Sequence, residues 1–293
     1  MAQNGKFNGA LISSIKCITR RKKLFGIICF IAAIIIAVIL VESITLERLN
    51  IDGNAVSTDA NIAGSKTNIP SASEQNDLVK IAEESQGGSG KICYLTFDDG
   101  PTENITVDVL ETLDKYNVKA TFFMVGRMID ENRELARRVY DEGHLIANHS
   151  YYHDYKALYA SSDSFFNEID KTFNSIKEVT GEEPFKLIRF PGGSYNYGDH
   201  AKVKQQYKAL LKQKGYYYAD WNCLDGDGES GNHTAAQLLK RIKSTAKSDN
   251  VVVLMHDGCI GKTTAKILPT IIEYFQEQGY EFRRLDEIPY YSD

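Results

Sequence analysis

From Lys91 onward, short apolar runs alternate with amphipathic stretches, the pattern of repeated βα units feeding a largely parallel sheet. The apolar runs predict strands over 92–97, 120–125, 145–147, 187–190, 216–220, 251–256 and 281–283. Between them, apolar positions recurring every three to four residues predict helices over 103–116, 130–141, 162–179, 200–214, 234–247 and 263–278. Gly143, Gly181, Gly215 and Gly279 each fall just past such a helix, where a left-handed cap ends it. Seven strands and six helices within about 200 residues predict an α/β fold, a distorted (β/α) barrel of about seven parallel strands.

Before Lys91 the pattern breaks twice. Residues 42–89 are rich in Ser, Asn, Asp, Ala and Gly without a sustained apolar period, so they predict a flexible linker. A short helix fits near 78–84, with little that it can bury. Residues 24–41 are 18 positions without a charge, enough to cross the hydrocarbon layer of a membrane. Arg20, Arg21, Lys22 and Lys23 precede them, and the positive-inside rule keeps that basic end in the cytoplasm. A cleaved signal peptide is the competing reading. The apolar run exceeds the usual signal length of about 7–15 residues, and Val41-Glu42-Ser43-Ile44-Thr45 has no small-x-small cleavage site. The expected organisation is a cytoplasmic segment (1–23), a transmembrane anchor (24–41), a linker (42–89) and an extracellular folded domain (90–293). The protein is then single-pass in the cell membrane.

Charge changes the list of partners. Residues 1–23 carry six basic side chains and no acid, so a chain total of −5 leaves −11 for the remainder. An acidic exported domain excludes nucleic acid as a ligand, because phosphate binding needs a basic surface. No feature calls for an obligate protein partner. The five cysteines, at 17, 29, 93, 223 and 259, form no CxxC pair, which excludes a zinc knuckle and a disulfide-rich scaffold; a link between Cys223 and Cys259 stays open.

The chemistry lies at the strand ends. Asp98, Asp99, His149, Arg189, Asp220 and His256 all fall at or just beyond the C-terminal end of a predicted strand, the rim where barrel active sites assemble. Adjacent carboxylates at Asp98 and Asp99 raise one another's pKa, so the pair requires a cation or metal for one member and a separate partner for the other. His149 and His153, four apart, place two imidazoles on one face of a helical turn. With one carboxylate of the aspartate pair they make a two-histidine, one-carboxylate site, suited to zinc or another divalent metal that takes nitrogen and oxygen ligands. Tyr151, Tyr152, Tyr155 and Tyr195 sit on rim loops, where flat amphipathic rings can stack on a ligand. Asp225-Gly226-Asp227-Gly228-Glu229 lacks the full calcium-loop pattern and is expected to be a solvated acidic loop.

These residues fall in five ordered motifs, and over about 90–290 the chain resembles the polysaccharide deacetylase family, also called the NodB-homology or carbohydrate esterase 4 family. In Thr96-Phe97-Asp98-Asp99-Gly100-Pro101 the resemblance implies Asp98 as catalytic base and Asp99 as metal ligand. His149-Ser150-Tyr151-Tyr152-His153 is similar to the family's H-[ST]-x-x-[HS] and implies two further ligands. Arg189-Phe190-Pro191-Gly192-Gly193 resembles R-x-P-[YF]-G, in which the arginine orients the base and the backbone N–H after Pro191 holds an oxyanion. Gly192 stands where an aromatic is usual, which removes an aromatic wall of the sugar groove. Asp220-Trp221 is similar to the end of D-x-x-D-W, with Tyr217 in place of its first aspartate, and implies Asp220 as the carboxylate that tunes the catalytic histidine. Leu254-Met255-His256 resembles L-x-H, implying His256 as general acid and Leu254 as part of the acetyl pocket. Pro191, Trp221 and Tyr195 complete the expected substrate side.

The resemblance implies a metal-dependent hydrolase with one divalent ion, zinc first and cobalt or nickel as alternatives. The implied substrate is an N-acetylated cell-wall glycan, N-acetylglucosamine in peptidoglycan before chitin-like polymers, other exopolysaccharides or O-acetyl esters. A catalytically inactive carbohydrate-binding member and an amidase on non-sugar amides are the rival readings.

Overall fold

The structure, a computed structural model, describes residues 77–84, 90–195, 198 and 200–288. They fall within one compact unit, Thr67–Asp293. The cytoplasmic segment, the expected anchor at 24–41 and most of the linker lie outside the described residues. Among the described residues no helix is long and apolar enough to cross a membrane.

Helix α1 (Leu78–Glu84) is followed by β1 (Lys91–Asp98), α2 (Thr106–Lys115), β2 (Thr121–Met124), α3 (Gly126–Glu131) and α4 (Arg133–Asp141). Then come β3 (Leu145–Asn148), α5 (Tyr155–Leu158), α6 (Ser162–Thr180), β4 (Leu187–Ile188), α7 (Ala201–Gln213), β5 (Tyr217–Tyr218) and β6 (Cys223–Leu224). The chain ends with α8 (Ala235–Thr245), β7 (Asn250–His256), α9 (Lys262–Glu277), β8 (Tyr280–Phe282) and a 3-10 turn, Leu285–Glu287.

All strand pairs are parallel, and seven strands follow the order β5-β4-β3-β2-β1-β7-β6, a curved half-barrel. β7 takes one whole edge of β1, while the other edge is shared, by β8 at Lys91–Cys93 and by β2 at Thr96–Asp98. Pleating sorts the core. Cys93, Leu95 and Phe97 face the helix layer, and Tyr94 faces the interior with Phe123, Ala147 and Val252. Thr96 and Asp98, in phase with Tyr94, carry the polar end of that interior toward the rim.

The helices form where their caps and apolar stripes agree. In α6 the Ser161 hydroxyl accepts the Ser164 N–H, Phe165, Ile169, Phe173 and Ile176 are buried on one face, and Gly181 ends the helix at φ 79°. The stretch expected as one helix over 130–141 is two, broken at Asn132 (φ −132°, ψ 49°), whose side chain donates to the Met128 carbonyl. Asparagine competes for backbone groups in this way and so interrupts helices. The two-residue β6 carries no periodicity of its own, and the sequence reading missed it.

One expectation about the linker is corrected. Helix α1 does bury surface: Leu78 and Ala82 are almost wholly enclosed and join the interior cluster. Asp77 forms a parallel bridge with Tyr218 of β5, and the Asn250 amide at the start of β7 donates to the Ala82 carbonyl. Residues 77–82 therefore tie β5, at one end of the sheet path, to β7, the strand next to the other end. Burying Leu78 contributes on the order of 1.5–3 kcal/mol. The folded domain begins at Asp77 or earlier, ahead of the expected boundary at 90. Cys93, Cys223 and Cys259 are all free, so Cys223 and Cys259 are not linked.

Candidate active site

The rim of the half-barrel holds a cavity of about 340 Å³ lined by Asp98, Asp99, His149, His153, Trp221 and His256, among others. β1 delivers both aspartates to this cavity, each carboxylate within 3.7 Å of His149 Nε2. Asp98 continues the strand and points inward, buried, while Asp99 turns off it at φ 77°. Ser150 (φ 66°) and His153 (φ 55°) share that left-handed backbone, unfavourable for residues other than glycine. Three of the four such non-glycine residues among those described thus belong to one site, where backbone strain positions side chains.

The expectation of a helical turn for His149 and His153 is corrected. They lie on the loop between β3 and α5, and side chains hold it open. Asn148 Oδ1 accepts the Ser150 N–H, and Glu168 Oε2 accepts those of Tyr151 and Tyr152. With these N–H groups bound to side chains, the helical i to i−4 ladder does not form.

The convergence on a metal position survives this change. His149 Nε2 and His153 Nε2 stand 3.5 and 3.3 Å from Asp99 Oδ1. A tetrahedral site with bonds of about 2.0–2.2 Å separates neighbouring ligand atoms by about 3.3–3.6 Å. Asp99 Oδ1 is buried without a hydrogen-bond partner. His149 donates from Nδ1 to the Arg189 carbonyl at 2.9 Å, which turns Nε2 toward the site. Burial, offset in part by Asp98, lowers the His149 pKa to about 4, so its imidazole is neutral at pH 7 as a ligand must be. The donor set fits a divalent cation held by Asp99, His149 and His153.

Asp98 lies beside this triad and has a different partner. Its Oδ1 accepts from Arg189 Nη1 at 2.8 Å, and its Oδ2 is 3.7 Å from His149 Nε2. Arg189 is fully buried. Its remaining donors meet the Ala219 carbonyl, Thr96 Oγ1 and the Asp220 carbonyl, and its guanidinium stacks 4.0 Å from the Phe123 ring centroid. A charge this well held gives the buried Asp98 carboxylate a fixed counterion.

On the facing wall, His256 ends β7, and here the sequence assignment is corrected. Asp220 does not reach it. The Asp220 carboxylate accepts the Ser194 N–H at 2.8 Å and the Ser194 hydroxyl, which braces the loop after β4. His256 Nδ1 instead meets Asp227 Oδ1 at 2.6 Å, and its backbone N–H donates to Asp227 Oδ2. Asp227 belongs to the loop expected to be solvated, yet Asp225 is 1% exposed and the Asp227 side chain 4%. Thr264 Oγ1 bonds both carboxylates. Burial and the charge of Asp227 raise the Asp225 pKa; Asp227 is lowered, because its bonds to His256 outweigh burial. Burial would depress His256, but Asp227, with smaller help from Asp98 and Asp99, raises it to about 9. Gly228 leaves room for the ring: a Cβ there would lie 2.7 Å from His256 Cε1. The sequence carried no signal for Asp227 beyond the alternation of Asp and Gly over 225–229, because β6 before it was not read as a strand.

Of the expected substrate-side residues, Gly192, Trp221 and Leu254 line the cavity. Pro191 and Tyr195 stand behind them. The Pro191 carbonyl accepts from the Tyr159 hydroxyl and Lys204 Nζ, and the Tyr195 hydroxyl donates to the Trp221 carbonyl. Lys204, buried, also donates to the Gly193 carbonyl at 2.7 Å, so its ammonium clamps the loop on both sides of Gly192.

A family model described as polysaccharide deacetylase matches residues 85–216. A peptidoglycan-N-acetylglucosamine deacetylase of Bacillus cereus is 30% identical across 91% of this chain and 92% of its own length. The PgdA protein of Listeria monocytogenes, bearing the same description, is 34% identical over 72% of this chain, which spans only 41% of that relative. The solved catalytic domain of a peptidoglycan N-acetylglucosamine deacetylase from Eubacterium rectale superposes with a TM-score of 0.63 at 34% identity, covering 69% of this chain and 91% of that one. This chain belongs to the polysaccharide deacetylase family, carbohydrate esterase family 4.

Proposed function

We propose that this protein is a metal-dependent hydrolase that removes N-acetyl groups from cell-wall glycan, with N-acetylglucosamine residues of peptidoglycan as substrate. The observation that carries the reading is one cavity that brings together a three-ligand cluster, a carboxylate fixed by a buried arginine, and a histidine kept protonated by its own carboxylate. The names of the similar proteins point to the same glycan.

Asp99, His149 and His153 would hold a divalent cation, zinc first, which when bound would supply Lewis-acid stabilisation of negative charge on the amide oxygen. The chain's own residues do the rest. Asp98, oriented by Arg189, takes a proton from the water that attacks the acetyl carbon. The Gly192 N–H, on a loop clamped by Lys204 and braced by Asp220, donates to the developing oxyanion. His256 gives its proton to the sugar nitrogen as the C–N bond breaks, releasing acetate and a free amine. Asp227 keeps that imidazole charged beforehand. Leu254 and Trp221 offer apolar surface to the acetyl methyl and the sugar. Residues 24–41 anchor the protein in the cell membrane with this domain outside, close to nearby wall glycan.

Acetate release from N-acetylglucosamine oligomers and from peptidoglycan tests the reading. Release is expected with zinc or cobalt, loss after chelation, and return on adding metal back. Oligomer binding without release under any metal would instead establish an inactive carbohydrate-binding member.

A further inference from the structure

We propose that Tyr155 is the aromatic wall against which the glycan stacks, occupying the space left by a glycine at 192. This inference rests on the glycan-deacetylase reading and names the residue that grips the sugar.

Gly192 lies at φ 74°, and a Cβ built on it would fall 2.8 Å from Tyr155 Cε1 and 3.1 Å from the Tyr155 hydroxyl oxygen. The tyrosine ring therefore fills the volume that a side chain at 192 would need. The two positions are coupled: a larger residue at 192 requires Tyr155 to leave. Tyr155 is also held in place. Asp154 caps its helix by accepting the N–H groups of Lys156 and Ala157. Its ring packs edge-on against His153, with centroids 5.4 Å apart, and lies 6.1 Å from the Tyr159 ring. Tyr159 in turn donates to the Pro191 carbonyl, so wall and oxyanion loop share one brace.

The other three rim tyrosines do not line the cavity. Tyr151 is buried with its hydroxyl on Asp130, Tyr152 is 51% exposed with its hydroxyl accepting from Lys171 Nζ, and Tyr195 packs edge-on against Trp221 behind the cavity. Tyr155 lines the cavity while 41% exposed, and Ile260, 46% exposed, also lines it. Apolar surface held in place at a cavity mouth beside convergent polar groups gains free energy when a ligand covers it. The apolar C–H face of a pyranose has the chemistry to cover it, while its hydroxyls stay in solvent.

Steady-state acetate release from the N-acetylglucosamine tetramer by zinc-loaded wild type, Tyr155→Ala and Tyr155→Phe is the test, with zinc stoichiometry measured for each. Stacking predicts that Tyr155→Ala raises KM about tenfold with zinc retained, and that Tyr155→Phe, which keeps the ring, stays within about twofold of wild type. An unchanged KM in Tyr155→Ala overturns the inference. So does a fall confined to kcat, which would place Tyr155 behind His153, or an equal loss in Tyr155→Phe, which would assign the effect to the hydroxyl. Should Tyr155→Ala fail to fold, calorimetric binding of the tetramer to Asp98→Asn, with and without Tyr155→Leu, reads the same contact; equal affinity overturns it. Failure of the functional reading is separate: the wild type then releases no acetate.

Discussion

The metal side of the cavity draws on two short stretches, 98–99 and 149–153, whose ligands are aimed by local backbone: Asp99, Ser150 and His153 all adopt left-handed φ. The proton-donor side is assembled differently. His256 at the end of β7 depends on Asp227, 29 positions away on the loop after β6, and that loop depends in turn on Thr264 of α9. One side is preorganised by contiguous motifs and strained turns. The other is preorganised by a buried chain of hydrogen bonds in which each group fixes the charge of the next. The metal side also leans on distant groups, the Arg189 carbonyl on His149 and the Glu168 carboxylate on the loop, but there they orient ligands, whereas on the donor side they set charge.

The largest effects test the metal side. Asp99→Ala is expected to lose both bound metal and acetate release, while Asp98→Asn keeps metal and loses on the order of 10²–10⁴ in kcat. Metal analysis beside the acetate assay separates them, and equal metal loss would make both carboxylates ligands. The donor side responds through pH. A donor must carry its proton, so with His256 raised to about 9 activity holds through neutral pH and falls as pH climbs past that value. Asp227→Asn removes the raising charge and moves this basic limb down toward the ordinary imidazole value of about 6.5. Asp220→Asn, acting only through Ser194, leaves the limb in place. Profiles of kcat against pH for both variants decide between the two aspartates, and the reverse result restores Asp220 as the partner. The smallest catalytic effect is expected outside both halves. Leu78→Ala in α1 lowers stability by about 2–5 kcal/mol with zinc stoichiometry intact, read from denaturant unfolding. Unchanged stability would return residues 77–84 to the linker.

The same contrast explains what could be read beforehand. Most elements were legible because apolar periodicity and caps agree along stretches such as 162–180 and 250–256. The site residues of β1, β3 and β7 were legible as polar residues ending apolar runs. The α1 segment was not, because Leu78, Val79 and Ala82 are too few to make a sustained period and their burial depends on contacts with β5 and β7 that exist only in the folded sheet. Asp227 was not, because an acidic Gly-rich loop has the same composition whether it faces water or folds over a histidine.

By itself the sequence determined the parallel α/β architecture, a candidate site of two histidines and one carboxylate of the aspartate pair, and the placement of Asp98, Arg189 and His256 on one rim. These follow from pleat, periodicity and short spacing, which are local properties of the chain; the resemblance to the family pointed to Asp99 within the pair. Only the tertiary structure decided that Asp227 charges His256, that Asp220 braces the oxyanion loop, that α1 belongs to the domain and that Tyr155 occupies the space beside Gly192. Each of these joins residues at least 26 positions apart, and the energy that selects such a partner exists only once burial has removed water as the alternative.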